Sequence, residues 1–184
     1  RGSWVIVACL AGVVVSVMLP AVRGDTARAQ AKLPSPALQR LQGEAAKLYQ
    51  QRQWAEALAA SERVLGATRR EFGPNHEQVA IQAYGLGLVA LAAGRLDIAE
   101  RAFRENVRVG EVAYGRDSAG VTQGMEKLAE VLVKARRPAE AEPLLRRVLG
   151  IRSGLVGADH SYNASVHAGL GVVSLARGDA RQAL

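Results

Sequence analysis

A stride of 42 residues governs this chain: shifted by that distance, FGPNH at 72–76 falls on YGRDS at 114–118, and again on VGADH at 156–160. The same shift aligns Gly73, Gly115 and Gly157, then Asn75, Asp117 and Asp159, then Leu86, Leu128 and Leu170. Ala57, Ala99, Ala141 and Ala183 form a further column and carry the period into a fourth unit. A chain that repeats at this spacing is a row of supersecondary units, each burying its apolar face against its neighbours. The Gly column suits a backbone position of positive φ where a helix has ended. The Asn/Asp column suits an N-cap, whose side-chain oxygen takes a free N–H of the next helix. The Leu and Ala columns mark packing.

Each unit reads as two helices. The first opens with Ser35 as N-cap and Pro36 at the first helical position, with Leu38, Leu41, Ala45, Leu48 and Tyr49 along one face. Its second helix starts near Trp54. In the next unit the expected helices span about 75–93 and 96–110, with Gly94 at the turn; in the third they span about 118–135 and 138–149. Pro143 is awkward inside the last of these unless Ala141 belongs to the first turn. No alternating Val/Ile/Thr run bounded by hairpin turns appears after residue 33, so the fold class is all-α. With 49% hydrophobic but only 4% aromatic residues, the core rests on Ala, Leu and Val. After Gly178 the fourth unit enters its second helix with DARQAL, too short to cover its partner. The polypeptide is therefore expected to continue past Leu184, and the start at Arg1 suggests truncation there too.

Small residues in the first helix of each pair (Gly87, Ala129, Gly171), an Ala early in the second, and the stretch AEAEPLLRRVLGIRSGLVGADH at 139–160 resemble tetratricopeptide repeats. The likeness is to the 42-residue variety of kinesin light chains and of many bacterial repeat proteins, here of an exported type. It covers roughly residues 37–184, as units at about 37–74, 75–116, 117–158 and an incomplete 159–184. The resemblance implies a right-handed α-solenoid of stacked antiparallel helix pairs, with the first helix of each pair lining a concave surface that receives a protein or peptide. Kinesin-type units also carry paired asparagines ahead of the Leu of that helix. Here those positions hold Gln42 and Gly43, Tyr84 and Gly85, Glu126 and Lys127, Ala168 and Gly169, so that clamp does not transfer.

Residues 85–90 spell G-x-G-x-x-A, the fingerprint of a dinucleotide-binding turn. That motif needs a strand before it, a helix start after it and an acidic ribose partner. NHEQVAIQA upstream has helical spacing, and a near-copy, GLGVVSLARGD, recurs at 169–179. Gly85, Gly87, Gly169 and Gly171 thus lie inside helices, where glycine costs about 1 kcal/mol relative to alanine. Close approach of neighbouring helices is the expected compensation.

The first 32 residues form a separate category. WVIVACLAGVVVSVMLPAV, beginning at Trp4 and ending at Val22, holds no charge over 19 positions. At about 1.5 Å per residue it nearly crosses a bilayer's hydrocarbon core. The preferred reading of residues 1–29 is a cleaved signal peptide, with Ala27, Arg28 and Ala29 as an A-x-A site; an uncleaved membrane anchor is the alternative. Either one exports the repeats, to the periplasm or beyond the cell, with residues 30–36 as a spacer. Cys9 is the sole cysteine and lies within the apolar run, so no disulfide joins the repeats. Ile6, Val7, Ala8 and Cys9 imitate a lipoprotein acceptor poorly, because most of the apolar run follows them.

The net charge is +7, and removing residues 1–29 leaves +5. The excess is spread over helix faces, as in Arg69, Arg70, Arg101, Arg104 and Arg108, and stacking aromatics are scarce, which argues against nucleic acid as partner. His76 and Glu77 begin HEQVA, but Ala80 stands where H-E-x-x-H requires its second histidine. His76 and His160 sit at helix starts and suit capping or exposure. His167, aligned with Ala83 and Met125, suits packing or a groove. Asn163, Ala164 and Ser165 form a glycosylation sequon inside an expected helix. No nucleophile stands beside a base, so no catalytic, cofactor or metal residue is assigned and the chain reads as a non-enzyme.

Two functions follow. One is an interaction scaffold that captures a protein or peptide on its concave surface outside the cytoplasm. The other, implied by the arrays that resemble this one and precede catalytic domains such as caspase-like peptidases, is the targeting arm of a larger enzyme. Gln42, Tyr84, Glu126 and Ala168, one column of differing chemistry, are the candidate protein-binding residues.

Overall fold

The structure is a computed structural model that describes residues 33–156 and 161–178. Among these residues there are seven α-helices and no strand. We number them α1 (Pro36–Gln50), α2 (Trp54–Phe72), α3 (Glu77–Ala92), α4 (Leu96–Tyr114), α5 (Ala119–Lys134), α6 (Pro138–Val156) and α7 (Ala164–Arg177), the last preceded by a 3-10 turn, Ser161–Asn163. Each α-helix packs on the next in the chain, and α5 also touches α7. The odd-numbered helices are the first helices of the units and the even-numbered ones the second. Residues 1–32, with the expected leader or anchor, and 179–184, with Ala183, lie outside the described range, as do Gly157, Asp159 and His160.

Local chemistry explains the boundaries. The Ser35 side chain caps α1 by accepting from Leu38 N–H at 3.3 Å, with Pro36 placed where its missing N–H costs nothing. Ser35 also donates its own N–H and hydroxyl to the two carboxylate oxygens of Glu71, at 2.7 and 2.8 Å, tying the start of α1 to the end of α2. The turn inside each of the first three units is a Schellman motif: Gly94 N–H donates to Leu91 C=O and Arg95 N–H to Ala90 C=O. Arg136 and Arg137 repeat this pattern on Val133 and Leu132, and Arg52 and Gln53 repeat it on Tyr49 and Leu48. The residue in the left-handed region recurs at the stride, with φ of 59° at Arg52, 73° at Gly94, 59° at Arg136 and 81° at Gly178.

Between units, Gly73 and Gly115 both have φ of 91°, as their column suggested. The caps, however, are His76 and Ser118, one residue after the Asn/Asp column. His76 N–H donates to Gly73 C=O, and Ser118 N–H to Gly115 C=O, so Asn75 and Asp117 are consumed as central residues of a turn. His76 Nδ1 accepts from Gln78 N–H at 3.1 Å, while Asn75 Oδ1 accepts from Arg108 Nη1 at 2.9 Å. Two helices also outrun expectation. α4 continues through Gly110 to Tyr114, and α6 through Gly150 to Val156, because a glycine with helical torsions does not stop a helix. Pro143 lies past the first turn of α6, exposed, and deletes the bond its N–H would have made to Ala139.

The core repeats with the stride. Ala57, Ala99 and Ala141 are fully buried, as are Val79, Val121, Val89 and Val131. Leu86 and Leu128 are buried, and Leu170 packs on the core partly exposed. Glycine serves close approach at two of the four expected positions: a Cβ on Gly87 would stand 2.6 Å from the Phe103 ring, and one on Gly169 would stand 3.1 Å from Leu145 Cδ1. The G-x-G-x-x-A segment is thus the middle of α3, packed on α4, with no turn for a phosphate.

Candidate binding groove

A groove of about 750 Å³ runs across the odd-numbered helices of three consecutive units. Tyr84 and Leu88 come from α3, the stretch from Gln123 to Lys134 supplies one face of α5, and Ser165, Gly169 and Val172 come from α7, with Leu145 of α6 at the base. Its walls are columns of the repeat: Gln123 with Ser165, Lys127 with Gly169, and Leu88 with Glu130 and Val172, each one stride apart or two. On α5 the lining residues fall three or four apart, the spacing that puts side chains on one helix face. The floor is apolar and Val172 is 50% exposed within it.

The four expected binding residues separate here. Tyr84 and Glu126 line the groove. Tyr84 leans edge-on against Phe103, ring centres 5.6 Å apart, so part of its surface is spent on packing. Gln42 lies outside the groove: it is 1% exposed, and neither polar atom of its amide is hydrogen-bonded. Ala168 is exposed on α7, but the walls take Ser165, Gly169 and Val172 from that helix. His167, whose column partners Ala83 and Met125 are fully buried, is exposed.

Glu126 is engaged from below. Arg152 on α6, only 3% exposed, sends Nη1 to Glu126 Oε1 at 3.0 Å and Nη2 to Oε2. Ser165 donates to Glu126 Oε1 at 2.9 Å, so one carboxylate joins α5, α6 and α7. A buried guanidinium needs such a partner, because an isolated buried charge is far costlier than a paired one. On the rim, Lys127 donates to Glu130 at 2.8 Å, and Lys134 stands 3.5 Å from the same carboxylate. Burial pushes the Glu130 carboxyl up, but the Lys127 and Lys134 ammonium groups outweigh it and hold it below its ordinary value.

Sequence reasoning passed over Arg152 and most of the α5 face. The face had a signal in its three-and-four spacing from Glu126. Arg152 had one as well, a charge in the column of Thr68 and Gly110. Asn163 of the sequon is 1% exposed just ahead of α7. Among the described residues no cluster of His, Cys, Asp and Glu could hold a metal ion, and no helix is long and apolar enough to cross a membrane.

Tetratricopeptide repeat models match residues 38–111 and 123–162, and the chain belongs to the tetratricopeptide repeat family. Proteins of this kind are generally non-catalytic scaffolds that bind proteins or peptides. Among solved structures it is similar to BtubC (BKLC) from P. vanneervenii, at 19% identity and a TM-score of 0.70, covering 84% of this chain and 62% of that one. It is likewise similar to a kinesin-light-chain protein of nearly identical TPR-like repeats from Podosopora anserina, at 18% identity and a TM-score of 0.70, covering 82% and 72%. At these identities the likeness is one of fold. The chain spans less than two thirds of BtubC. Curated proteins offer no match.

Proposed function

We propose that this chain is a non-enzymatic scaffold whose groove over α3, α5 and α7 receives a segment of another polypeptide. The observation that carries the proposal is continuity: apolar side chains from three successive units share one open trough, in which Glu126 is paired with Arg152 and Lys127 and Lys134 share the Glu130 carboxylate at the rim. The test uses peptides selected on the wild-type chain from a random display library. Val172→Asp alters an exposed groove residue, and Val112→Asp alters a residue 61% exposed on α4 that takes no part in the groove. The proposal expects the first to weaken peptide binding at least tenfold and the second to leave it unchanged. Equal effects would overturn it.

We also propose that the scaffold works outside the cytoplasm, on the strength of the uncharged run at 4–22. Residues 1–36 fused to a reporter that is active only after export provide the test. An active reporter supports the proposal, and an inactive one overturns it.

A further inference from the structure

The stride relates two ion pairs that join successive even-numbered helices, and it relates them with their charges exchanged. Between α2 and α4, Arg69 forks onto Glu105, with Nε to Oε1 at 3.0 Å and Nη2 to Oε2. Between α4 and α6, Arg147 Nη1 donates to Glu111 Oε1 at 2.6 Å. Residue 111 lies one stride after 69, and residue 147 one stride after 105. The same two positions are therefore used at both junctions, basic then acidic at the first, acidic then basic at the second. All four side chains are partly sheltered, with exposures of 44% and 19% at the first junction and 31% and 23% at the second. Arg147 also reaches the Arg116 carbonyl and stands 3.8 Å from Asp117, and Glu62 and Arg101 flank the first pair in a shallow pocket, so both pairs lie within mixed charge.

We infer that this exchange fixes the order in which the units stack. Repeats of one stride share the buried column of Ala57, Ala99 and Ala141, although α4 buries Phe103 and Asn106 where α6 has Leu145 and Val148, so the common column does not by itself tell α4 from α6 as a partner for α2. Misassembly between such units is a characteristic failure of repeat proteins. Charge adds to the distinction. α2 against α4 sets Arg69 beside Glu105, whereas α2 against α6 sets Arg69 beside Arg147, a like-charge contact that disfavours skipping the second unit. The order matters for the groove, because Leu88 and Glu130 are contributed by neighbouring units and must follow one another.

Deleting residues 75–116 forces the skipped arrangement while keeping register, since it joins Pro74 to Asp117 and leaves F-G-P-D-S where the parent has Y-G-R-D-S. Arg69→Glu is then made in both the full chain and the deleted chain, and thermal unfolding is followed by circular dichroism. In the full chain the substitution sets a second carboxylate against that of Glu105 and lowers the midpoint by about 2–4 °C. Adding Glu105→Arg restores it. In the deleted chain the same Arg69→Glu creates a pair with Arg147 and raises the midpoint by a similar amount. Both shifts shrink in about 1 M salt, where the screening length falls to about 3 Å. Shifts of the same sign in the two chains, insensitivity to salt, or a deleted chain that stays unfolded with either residue would each overturn the inference.

Discussion

Gly87 and Phe103 occupy what would otherwise be one volume: a Cβ on Gly87 of α3 would stand 2.6 Å from both Cε1 and Cζ of the fully buried Phe103 ring on α4. Glycine there lets the two helices of the second unit close. Gly87→Ala gains about 1 kcal/mol of helix propensity but must displace a packed ring, and a net loss of about 1–3 kcal/mol is expected in denaturant unfolding. Gly43 gives the contrast. It is exposed in α1 with nothing within 4 Å of its Cβ position, so Gly43→Ala should stabilise by about 0.5–1 kcal/mol.

Asn106 stands in the column of Val64 and Val148, both fully buried, yet it donates Nδ2 to the Ala80 carbonyl at 2.8 Å. Its Oδ1 lies 1.9 Å from where a Cβ on Gly124 would be, so α5 has no side chain at that position and α4 fills the space. Gly124→Ala should cost at least about 2 kcal/mol. Because the two residues share one volume, Asn106→Ala combined with Gly124→Ala should cost less than the two single changes added together, a coupling that a double-mutant cycle reads directly.

Arg52 and Arg136 hold a left-handed turn position that Gly94 and Gly178 fill at the other strides. A non-glycine residue pays about 1–2 kcal/mol there, and glycine returns part of that through the entropy of the unfolded chain. Arg136→Gly and Arg52→Gly, both at exposed sites, are each expected to stabilise by about 0.5–1 kcal/mol, with an unchanged circular dichroism spectrum.

Burial first, and the Glu77 carboxylate second, push the Tyr114 phenol up to about 12. Its ordinary value is about 10, so above that pH the unfolded chain gives up this proton before the folded one does. The stability it contributes is complete below about pH 10 and is lost as pH rises toward 12. Tyr114→Phe should therefore flatten the fall in stability between pH 9.5 and 11.5 (roughly the window of that linkage). Tyr49, also raised by burial, remains in both proteins, so the difference between them isolates Tyr114.

The features legible in the sequence were those that depend on backbone and stride. Gly73, Gly94 and Gly115 announce left-handed turns wherever they occur, and Ala57, Ala99 and Ala141 stay buried because helices at a fixed spacing need a small residue there. The caps shifted by one because the turn after Gly73 requires two central residues, a count that column chemistry does not reveal. Gln42, of the column that also holds Tyr84 and Glu126, is buried for another reason. The position facing Glu126 is Arg152, and one and two strides earlier it is Gly110 and Thr68, so equivalent places along the helix meet different neighbours. Stride predicts where a residue sits; what covers it is decided across the interface.

The central claim, that a polypeptide segment lies along the odd-numbered helices, is tested most directly by photo-crosslinking. A display-selected peptide carrying a photoreactive residue is bound to the wild-type chain, irradiated and mapped by mass spectrometry. The account predicts crosslinks on Leu88, Lys127, Val133 and Val172, within α3, α5 and α7. Crosslinks concentrated on exposed positions of the even-numbered helices, such as Arg101, Arg104 and Arg146, would contradict it.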